Sequence, residues 1–536
     1  MTELTARVPE VARSIEVLRR AGLFNPLRPD EALRSTVLIR RYGPIAGAVR
    51  IAAGRDRKAL ALVDEHGELS FTQLDERSNA LARGWARAGL GEGSVIAVLC
   101  RDHRGLVDSM LASAKLGARL LLVNTGFSAP QLVDVSAREE VSAVVYDQEF
   151  TGLLAALPTG IQRYLAWVDD AATAEGLAKI DELITSNSVR DVPLPAKVGG
   201  LVLLTSGTTG TPKGAQREVK SPLAAAEFLD RIPLRSGEAT FLGAPIFHGT
   251  GLSQFILTFA LGSTVILRRR FDPVVALEAI ERYRCTALVV VPTMLARILD
   301  LGPAALDRAD TSSLRIVFTA GSALSPELGN RATRAFGPVI HNLYGSTEVA
   351  VATVATPQDW AAAPGTVGRA PAGCRVRLYD AEGNQVHGAH RRGRVFVRSG
   401  LKFGGYTGGG NKEIIDGLLC SGDVGHFDES GLLFIDGRDD DMIVSGGENV
   451  YPIEVENLLV EHEKISDAAV IGIADDEFGQ RLKAFVVTID GAPIEVEEIK
   501  SYVKANLARY KVPREVEFLD ELPRNPTGKV LKNQLS

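Results

Sequence analysis

Apolar runs of strand length alternate with segments of helical pattern between Ala59 and about Leu194. The run from Val95 to Cys100 is followed by a helical pattern from Leu106 to Leu116 and by a second strand-like run from Ala118 to Val123, which is apolar except for Arg119. Runs without polar interruption are typical of strands covered on both faces, and their alternation with helices indicates parallel sheet. The alternation resumes between Ser221 and Leu299. The sequence therefore predicts an α/β fold with layers of parallel sheet and helix.

The pattern changes twice in the second half of the chain. From Gly365 to Ile435 short strands are punctuated by glycine, which predicts a β-rich subdomain. After Arg438 the pattern becomes α+β, with one helix that begins at Pro452 and a second, amphipathic helix around Ile499. Because 536 residues exceed one compact core, we predict three units. They are an N-terminal extension (1–58), a large domain (59–437) and a small mobile domain (438–536).

Composition argues against several classes of function. The formal net charge is −6 and no basic stripe is evident, so we expect no binding to nucleic acid. The four cysteines are scattered without CxxC spacing, which gives no metal site and fits a reducing compartment. The sequence shows neither a signal peptide nor a membrane-spanning run, and we therefore expect a cytoplasmic protein.

The first part of the chain is rich in arginine, with Val11, Ile15 and Leu18 at helical spacing among the charges. This pattern has two interpretations. Such a helix can lie on a membrane that contains anionic lipid, or it can pack on its own domain, which is the more common arrangement. The sequence leaves peripheral contact with a membrane open.

A hydroxyl- and glycine-rich segment follows the apolar run from Leu201 to Leu204: Thr205-Ser206-Gly207-Thr208-Thr209-Gly210-Thr211-Pro212-Lys213-Gly214. Glycines let the backbone approach an anion, N–H groups can donate to it, and the lysine supplies charge. A Walker A loop would need Gly-Lys-Ser/Thr at the start of a helix, whereas here a strand-like run follows Lys213. The segment predicts a phosphate-binding loop between two strands rather than a flexible surface turn.

Three further groups of polar residues lie downstream. The motif Asn342-Leu343-Tyr344-Gly345-Ser346-Thr347-Glu348 combines a ring that can stack on a base with a carboxylate that can hold Mg²⁺. Asp423 ends one strand-like run and Arg438 follows a second, and there a carboxylate can accept ribose hydroxyls and a guanidinium can contact sugar or phosphate. Lys529 ends the turn Pro526-Thr527-Gly528-Lys529. Each is more often an ordinary surface residue; their joint presence, in this order, indicates a nucleotide site.

In these motifs the chain resembles the adenylate-forming superfamily, which contains acyl- and aryl-CoA synthetases, firefly luciferase and the adenylation domains of peptide synthetases. The resemblance extends from about Leu60 to Leu535. It implies that the segment from Thr205 to Lys213 binds phosphate. It implies further that Gly321-Ser322-Ala323 borders adenine and the acyl pocket, and that Tyr344, in one motif with Asn342 and Gly345, stacks on adenine.

The resemblance also implies roles for residues nearer the reacting atoms. Thr347 would contact the α-phosphate and Glu348 would hold Mg²⁺. Asp423 and Arg438 would bind the ribose, and Lys529 would be the catalytic lysine. In the small domain, Asp440 would be the hinge and Gly446-Gly447 would line the channel for the pantetheine arm of CoA.

The family reaction that the resemblance implies has two steps. A carboxylate attacks the α-phosphate of ATP, Lys529 and Mg²⁺ stabilise the developing charge, and pyrophosphate leaves. The acyl-adenylate then reacts with the thiol of CoA to give a thioester and AMP. Because Lys529 is implied to serve only the first step, the small domain would swing about Asp440 and bring Ser445-Gly446-Gly447 to the site.

His248, within Pro245–Gly251, bears on the choice of substrate. Amino-acid-activating members resemble this region but have an aspartate there for the substrate ammonium group, so the histidine favours an acid without an amino group. By resemblance His248 gates the acyl site, and a hydrogen-bonded core histidine is the alternative. The apolar segment Leu252–Leu261 suits the wall of an apolar pocket or a core helix equally.

We therefore predict a fatty acyl-CoA synthetase that uses a fatty acid, ATP, Mg²⁺ and CoA. CoA is favoured over a carrier protein because no insertion of the kind typical of fatty acyl-AMP ligases interrupts residues 348–438. An aryl-CoA ligase, an acyl-AMP ligase that loads a carrier protein, and a silent acyl- or nucleotide-binding protein stay open, as does a homodimer. One departure from the family pattern is Gly417–Asp423, which lacks the aromatics and the threonine common before the aspartate.

Overall fold

The computed structural model describes the chain except for residues 1, 25, 28, 206–212, 219–223, 347, 401, 407–411, 440, 446–447, 476–478, 490–491 and 526–527. The helices are α1 (Thr2–Ala21), α2 (Pro29–Arg55), α3 (Phe71–Arg87), α4 (Arg104–Leu116), α5 (Ala129–Arg138), α6 (Ile180–Ser186), α7 (Ala224–Leu229), α8 (Gly249–Ala260), α9 (Pro273–Tyr283), α10 (Pro292–Leu299), α11 (Pro303–Leu306), α12 (Pro326–Phe336), α13 (Pro357–Ala362), α14 (Pro452–Val460) and α15 (Val496–Asn506).

The strands form four sheets. They are β1 (Leu60–Asp64), β2 (Gly67–Ser70), β3 (Val95–Leu99), β4 (Arg119–Leu122), β5 (Ala143–Asp147), β6 (Gln162–Trp167), β7 (Leu201–Thr205), β8 (Lys213–Glu218), β9 (Ala239–Leu242), β10 (Thr264–Ile266), β11 (Ala287–Val290), β12 (Ile316–Thr319), β13 (Ile340–Tyr344), β14 (Thr353–Ala355), β15 (Arg375–Tyr379), β16 (Gly393–Arg398), β17 (Lys402–Tyr406), β18 (Ile414–Ile415), β19 (Leu418–Phe427), β20 (Leu433–Arg438), β21 (Ile443–Ser445), β22 (Glu448–Val450), β23 (Ile465–Asp475), β24 (Gly479–Thr488) and β25 (Glu515–Phe518).

Two of the sheets are mainly parallel. The eight-stranded sheet has the order β14-β13-β12-β11-β9-β10-β1-β2, and only its edge strands β2 and β14 run antiparallel. The seven-stranded sheet has the order β17-β8-β7-β4-β3-β5-β6, in which β8 pairs antiparallel with both β7 and β17. All five residues of β3 are buried, as expected for a strand covered on both faces. The predicted α/β architecture is confirmed.

A layer of helices lies between these two sheets. One buried apolar cluster contains Leu62 of β1, Ile96 of β3, Val49 of α2 and Phe255 of α8. The cluster therefore joins the facing surfaces of both sheets through α2, α3, α4 and α8. The outer face of the eight-stranded sheet is covered by α9, α10 and α12, and that of the seven-stranded sheet by α5.

The sequence pattern after the expected phosphate loop predicts a helix from Ser221 to Ile232, and this helix ends earlier in the structure. Its helical part within the described residues is α7, Ala224–Leu229. The helix ends at Leu229, three residues before the last residue that the pattern predicts to be helical.

The first 58 residues pack against the large domain. Leu18 of α1 and Val49 of α2 belong to the core between the sheets, whereas Val11 and Ile15 are each 42% exposed. This packing supports the interpretation of α1 as a helix of its own domain, and contact with lipid stays a prediction. Within the described part of the chain, no helix is both long enough and apolar enough to cross a bilayer.

The β-rich region and the small α+β domain are also confirmed. The β-rich sheet is antiparallel, in the order β15-β16-β19-β18, with β20 paired to β19. The C-terminal sheet has the order β22-β21-β24-β23, and β25 pairs in parallel with β24. Helices α14 and α15 pack on it through buried residues such as Val455 and Ile499. The boundary at residue 437 and the mobility of the small domain stay predictions.

Candidate nucleotide and acyl site

One cavity of about 2110 Å³ lies where parallel strands of both sheets reach their carboxyl ends. Leu204 of β7, Ala320 after β12 and Asn342 of β13 line it, and so do Asn525 and Lys532 of the small domain. A cleft between domains, at the carboxyl ends of parallel strands, is where α/β enzymes usually bind ligands.

The cavity brings together eleven of the candidate residues. They are His248, Gly321, Ser322, Ala323, Asn342, Tyr344, Gly345, Glu348, Asp423, Arg438 and Lys529. The candidates Ser206, Gly207, Thr208, Thr209, Gly210, Thr347, Asp440, Gly446 and Gly447 lie outside the described residues. Ser445, which precedes the expected pantetheine segment, is described and is not among the lining residues.

The strands that flank the expected phosphate loop form a hairpin. Strands β7 and β8 pair antiparallel, with Thr205 opposite Lys213. The backbone therefore turns between two strands, as the sequence predicts, and Lys213 begins a strand rather than a helix. The loop itself, residues 206–212, lies outside the described residues.

A tight turn after β13 holds Glu348 on the cavity wall. A Cβ atom at Gly345 would overlap the carbonyl oxygen of Ala350, so the backbone closes on itself here only because residue 345 has no side chain. The Ser346 hydroxyl donates to Glu348 Oε2 at 2.8 Å, and the Glu348 N–H donates back to that hydroxyl at 3.2 Å. A positioned carboxylate beside nucleotide phosphates is a typical ligand set for Mg²⁺, so the residues present fit this ion.

Tyr344 and Asp423 are joined by a hydrogen bond across two sheets. The Tyr344 hydroxyl donates to Asp423 Oδ2 and also lies 3.0 Å from Ser421 Oγ. Burial and the neighbouring Asp423 charge raise the pKa of Tyr344 well above its usual value, so the phenol stays a donor. Burial raises the pKa of Asp423, while Tyr344 and the charges of Arg438 and Lys529 act against that rise.

Asp423 lies in the middle of β19, not at the end of a strand as the sequence predicts. The strand continues because its pairing with β20 extends from Asp423–Arg438 to Phe427–Leu433. Arg438 is the last residue of β20 and lies directly opposite Asp423. The pairing places a carboxylate and a guanidinium side by side on the cavity, which suits recognition of a sugar with adjacent hydroxyl groups.

Lys529 reaches the cavity on a turn that packs against the large domain. The Asn525 side chain accepts the Lys529 N–H at 2.9 Å, and the Gly528 N–H donates to the Asn525 carbonyl at 2.8 Å. A Cβ atom at Gly528 would overlap Thr293 Oγ1 of α10, which shows how closely the turn approaches that helix. The small domain thus lies in an arrangement that presents Lys529 to the same cavity as Asp423 and Glu348.

His248 precedes α8 and is uncharged near neutral pH. Burial lowers the pKa of its imidazole to about 4. Its Nε2 atom is buried and makes no hydrogen bond to any residue that the structure describes, and its ring lies 4.6 Å from that of Phe247. Within the described residues, His248 is therefore not a core histidine with both ring nitrogens hydrogen-bonded. The geometry fits a neutral group on the wall of the acyl site.

Two polar groups and one wall of this cavity could not be predicted from the sequence. A Cβ atom at Gly422 would lie 3.4 Å from Arg438 Nη2 and 3.5 Å from Lys412 Nζ, so two cations flank this glycine. Lys412 and Ser421 have no motif of their own, and only strand pairing reveals them. The wall consists of residues from α1 and α2. Their amphipathic pattern indicated that one face of each helix is buried, but it did not indicate a cavity.

Comparison with known proteins identifies the family. Residues 49–407 match the family model described as AMP-binding enzyme, and residues 454–529 match that of the AMP-binding enzyme C-terminal domain. The chain belongs to this family. It is an adenylate-forming enzyme that resembles acyl-CoA synthetases, and enzymes of this kind use ATP, Mg²⁺ and CoA.

Individual relatives are acid-activating ligases. Indoleacetate–CoA ligase of Aromatoleum aromaticum is 32% identical over 495 residues, which cover 90% of this chain and 96% of the relative. A fatty acid–[acyl-carrier-protein] ligase of Streptomyces coeruleorubidus is 30% identical over 489 residues, which cover 89% of this chain and 92% of the relative. The solved structure of o-succinylbenzoate CoA synthetase from Bacillus subtilis, with its acyl-adenylate, has a TM-score of 0.78 at 25% identity and covers 91% of this chain and 97% of that chain.

Proposed function

We propose that this enzyme is an ATP-dependent fatty acyl-CoA synthetase. The observation that carries the proposal is a single cavity that holds both Lys529 and Asp423 and continues along the apolar side of α8. The polar part suits a nucleotide, and the apolar part suits an acid with a hydrocarbon chain. Family membership supports the ligase chemistry, and the shape and lining of the cavity favour a fatty acid.

The first step joins the acid to AMP. A carboxylate oxygen of the fatty acid attacks the α-phosphorus of ATP, and the bond from that phosphorus to pyrophosphate breaks. Lys529 is placed to neutralise negative charge on the phosphate during this exchange. Glu348 would hold Mg²⁺, which supplies further positive charge to the phosphates when it is bound. Asp423 and Arg438 hold the ribose, and the Thr205–Lys213 segment binds the leaving phosphates.

The second step transfers the acyl group. The thiol of CoA attacks the acyl carbonyl carbon, the bond to the AMP phosphate oxygen breaks, and AMP leaves. In this proposal neutral His248, which lines the cavity, borders the reacting carbonyl without adding charge. In this proposal Gly446 and Gly447 replace Lys529 at the cavity for this step, through rotation at Asp440.

Two other substrate classes have support of their own. The relative that acts on indoleacetate favours an aryl-CoA ligase, and the relative that acts with an acyl-carrier protein favours a different acceptor. Peripheral contact with anionic lipid and a homodimer also stay predictions, which vesicle co-sedimentation and light scattering would check.

Pyrophosphate release with a panel of acids separates these functions. We expect release with dodecanoate and hexadecanoate that exceeds release with indoleacetate or benzoate, and formation of acyl-CoA by mass spectrometry when CoA is present. Faster release with the aryl acids would assign an aryl-CoA ligase. Acyl-adenylate that persists with CoA but is consumed by a phosphopantetheinylated carrier protein would assign the other acceptor. No release with any acid would indicate a silent binding protein.

A further inference from the structure

The cavity continues far beyond the nucleotide site, and the two N-terminal helices form one of its walls. Residues of α1 and α2 that line it include Ile15, Leu18, Ile39, Tyr42, Ile45 and Ala48. Except for the Tyr42 hydroxyl, these six side chains are purely hydrocarbon, and the polar residues Ser35, Thr36, Arg40 and Arg55 of α2 line the same cavity. This wall is assembled mostly from residues before position 49, where the match to the family model begins.

The extended part of the cavity follows α8 over its whole length. His248, immediately before α8, lines the cavity, and so do Leu252, Ile256 and Ala260 at the last residue. At 1.5 Å per residue, α8 spans roughly 17 Å from Gly249 to Ala260. The lining side chains recur at helical spacing, so the same face of α8 borders the cavity throughout.

The opposite side of this passage is the seven-stranded sheet. Leu203, near the carboxyl end of β7, lines the cavity, and so does Gly200, just before the first residue of β7. Ala118, just before β4, lines it as well. The passage therefore runs from the carboxyl ends of the parallel strands, where the nucleotide residues lie, to their amino ends.

The far end of the passage reaches the protein surface. Ile15 of α1 lines the cavity and is 42% exposed, and Val198 before β7 lines it and is 44% exposed. Arg40 of α2 is a further lining residue that is exposed. Side chains that both line a cavity and face solvent mark an opening, and this opening is remote from Lys529.

A break in α2 places its first half across the passage. Gly43 has a φ of +77°, outside helical geometry, and is followed by Pro44. The two halves approach so closely that a Cβ atom at Gly47 would lie 2.9 Å from Ile39 Cα. A Cβ atom at Gly43 would lie 3.2 Å from Val198 Cγ1, at the far end of the passage. Ile39, one helical turn before Gly43, is therefore held near that end.

Helix α1 is fastened to the large domain beside this wall. Arg13 donates to both carboxylate oxygens of Asp230, which follows α7, at 3.2 and 2.8 Å. The Ser236 N–H donates to the carbonyl of Ala21, the last residue of α1, at 3.0 Å. These bonds connect Arg13, in the second half of α1, and Ala21, at its end, to the same connection after α7, so the wall is a built part of the domain.

We propose that α1 and the first half of α2 form one wall of an acyl channel and set a preference for chains long enough to reach Ile39, which is a specificity-determining residue. This inference rests on the proposed function and deepens it to long, unbranched alkyl acids. With carbon–carbon bonds of about 1.5 Å in a zigzag, a passage of roughly 17 Å takes about 13 bonds in extended form. Because the far end opens to solvent, longer chains are accepted rather than excluded by a floor.

The test compares two tryptophan substitutions on the same helix. Ile39→Trp places a large ring in the channel, whereas Val37→Trp adds the same ring at a position that is 39% exposed and does not line the cavity. We expect Ile39→Trp to lower kcat/KM for hexadecanoate by about tenfold or more relative to Val37→Trp, since methylenes kept out of the channel lose their burial. Octanoate, whose chain ends before Ile39, is expected to react at the same rate with both variants.

The outcomes separate this inference from the proposed function. If wild type releases pyrophosphate only with aryl acids, the proposed function is wrong whatever the variants do. If wild type uses hexadecanoate and the two variants have the same kcat/KM at every chain length, the role proposed for the channel wall is wrong. The proposed synthetase function is unaffected by that result. A loss that is equal for octanoate and hexadecanoate would indicate damage to the fold and would also overturn the length-setting role. Binding of cis-parinaric acid without ATP gives a readout that needs no catalysis, and we expect weaker binding in Ile39→Trp alone.

Discussion

Asp102 shows how burial of one carboxyl group shapes the region beside His248. Its side chain is 6% exposed and accepts the N–H of Ile246, two residues before His248, at 3.1 and 3.3 Å. Burial raises the pKa of Asp102 to about 7. The folded protein therefore holds a proton on this group at pH values where the unfolded chain has lost it.

Asp102→Asn is expected to change how stability depends on pH. Ionisation costs the folded state more than the unfolded state, so wild-type stability falls as pH rises from the unfolded pKa of 3.8 through the folded value of about 7. Asparagine keeps the acceptor oxygen for Ile246 and does not titrate. We expect the variant to gain about 2–3 kcal/mol relative to wild type between roughly pH 5 and pH 8, measured by urea unfolding. Parallel pH profiles for the two proteins would contradict the assignment.

At this scale, residues in local motifs could be predicted and residues brought together by pairing could not. Tyr344 and Glu348 share one short motif, and both line the cavity. Lys412 and Ser421 reach the same site only because β18, β19 and β20 pair. Nothing in a single sequence distinguishes such a lysine from the many that are solvated. Asp423 was predicted as a site residue, but its position within β19 was wrong because pairing with β20 prolongs the strand.

Among the elements, the turn that carries Lys529 depends on a contact with α10. Gly528 has a φ of +77° and leaves no room for a Cβ beside Thr293. Gly528→Ala is therefore expected to slow acyl-adenylate formation, because it strains the turn and pushes it away from α10. Pyrophosphate release measures that step. Thioester formation from supplied acyl-adenylate is expected to stay near the wild-type rate.

A second substitution separates backbone strain at Gly528 from steric overlap with Thr293. In Gly528→Ala/Thr293→Ala the overlapping Oγ1 atom is gone while the left-handed backbone remains. Partial recovery of pyrophosphate release in the double variant would show that contact with α10 positions the turn. A double variant that releases pyrophosphate no faster than Gly528→Ala would show that backbone strain accounts for the whole loss of rate. Contact with α10 would then not position the turn.

Elements were predictable where one feature of the chain determines them. Strand β3 is an uninterrupted apolar run, and α4 follows the pattern that the sequence shows over 106–116. For α1, the pattern indicated that one face is buried but not what it faces. The structure shows that Leu18 on this face belongs to the core and also lines the cavity, and that Ile15 lines the cavity. Such a division depends on packing against distant elements and leaves no periodic signal.

In the whole molecule, the position of the small domain matches the first step of the proposed reaction. Lys529 lines the cavity together with Glu348, and Ser445 does not. This arrangement is the one that the proposed first half-reaction requires, and the second arrangement, with Gly446 and Gly447 at the cavity, stays a prediction.

Lys529→Ala tests this division of labour. Loss of the ammonium group is expected to slow acyl-adenylate formation roughly hundredfold to thousandfold, the usual effect of removing one group that stabilises transition-state charge. Thioester formation from supplied acyl-adenylate and CoA is expected to stay near the wild-type rate, because in the proposed mechanism Lys529 leaves the cavity before that step. Lys504→Ala, at an exposed lysine of the same domain, is the matched control and is expected to alter neither half-reaction.

The pattern of rates distinguishes the alternatives for the whole molecule. If Lys529→Ala slows both half-reactions equally, one arrangement of the domains serves both steps, and the swing about Asp440 is wrong. If it slows neither, Lys529 lines the cavity without taking part in either half-reaction. Loss of the first step alone requires that the position of Lys529 in the structure is productive for adenylation and that a different position serves the thiol, which two domains joined by a hinge can provide.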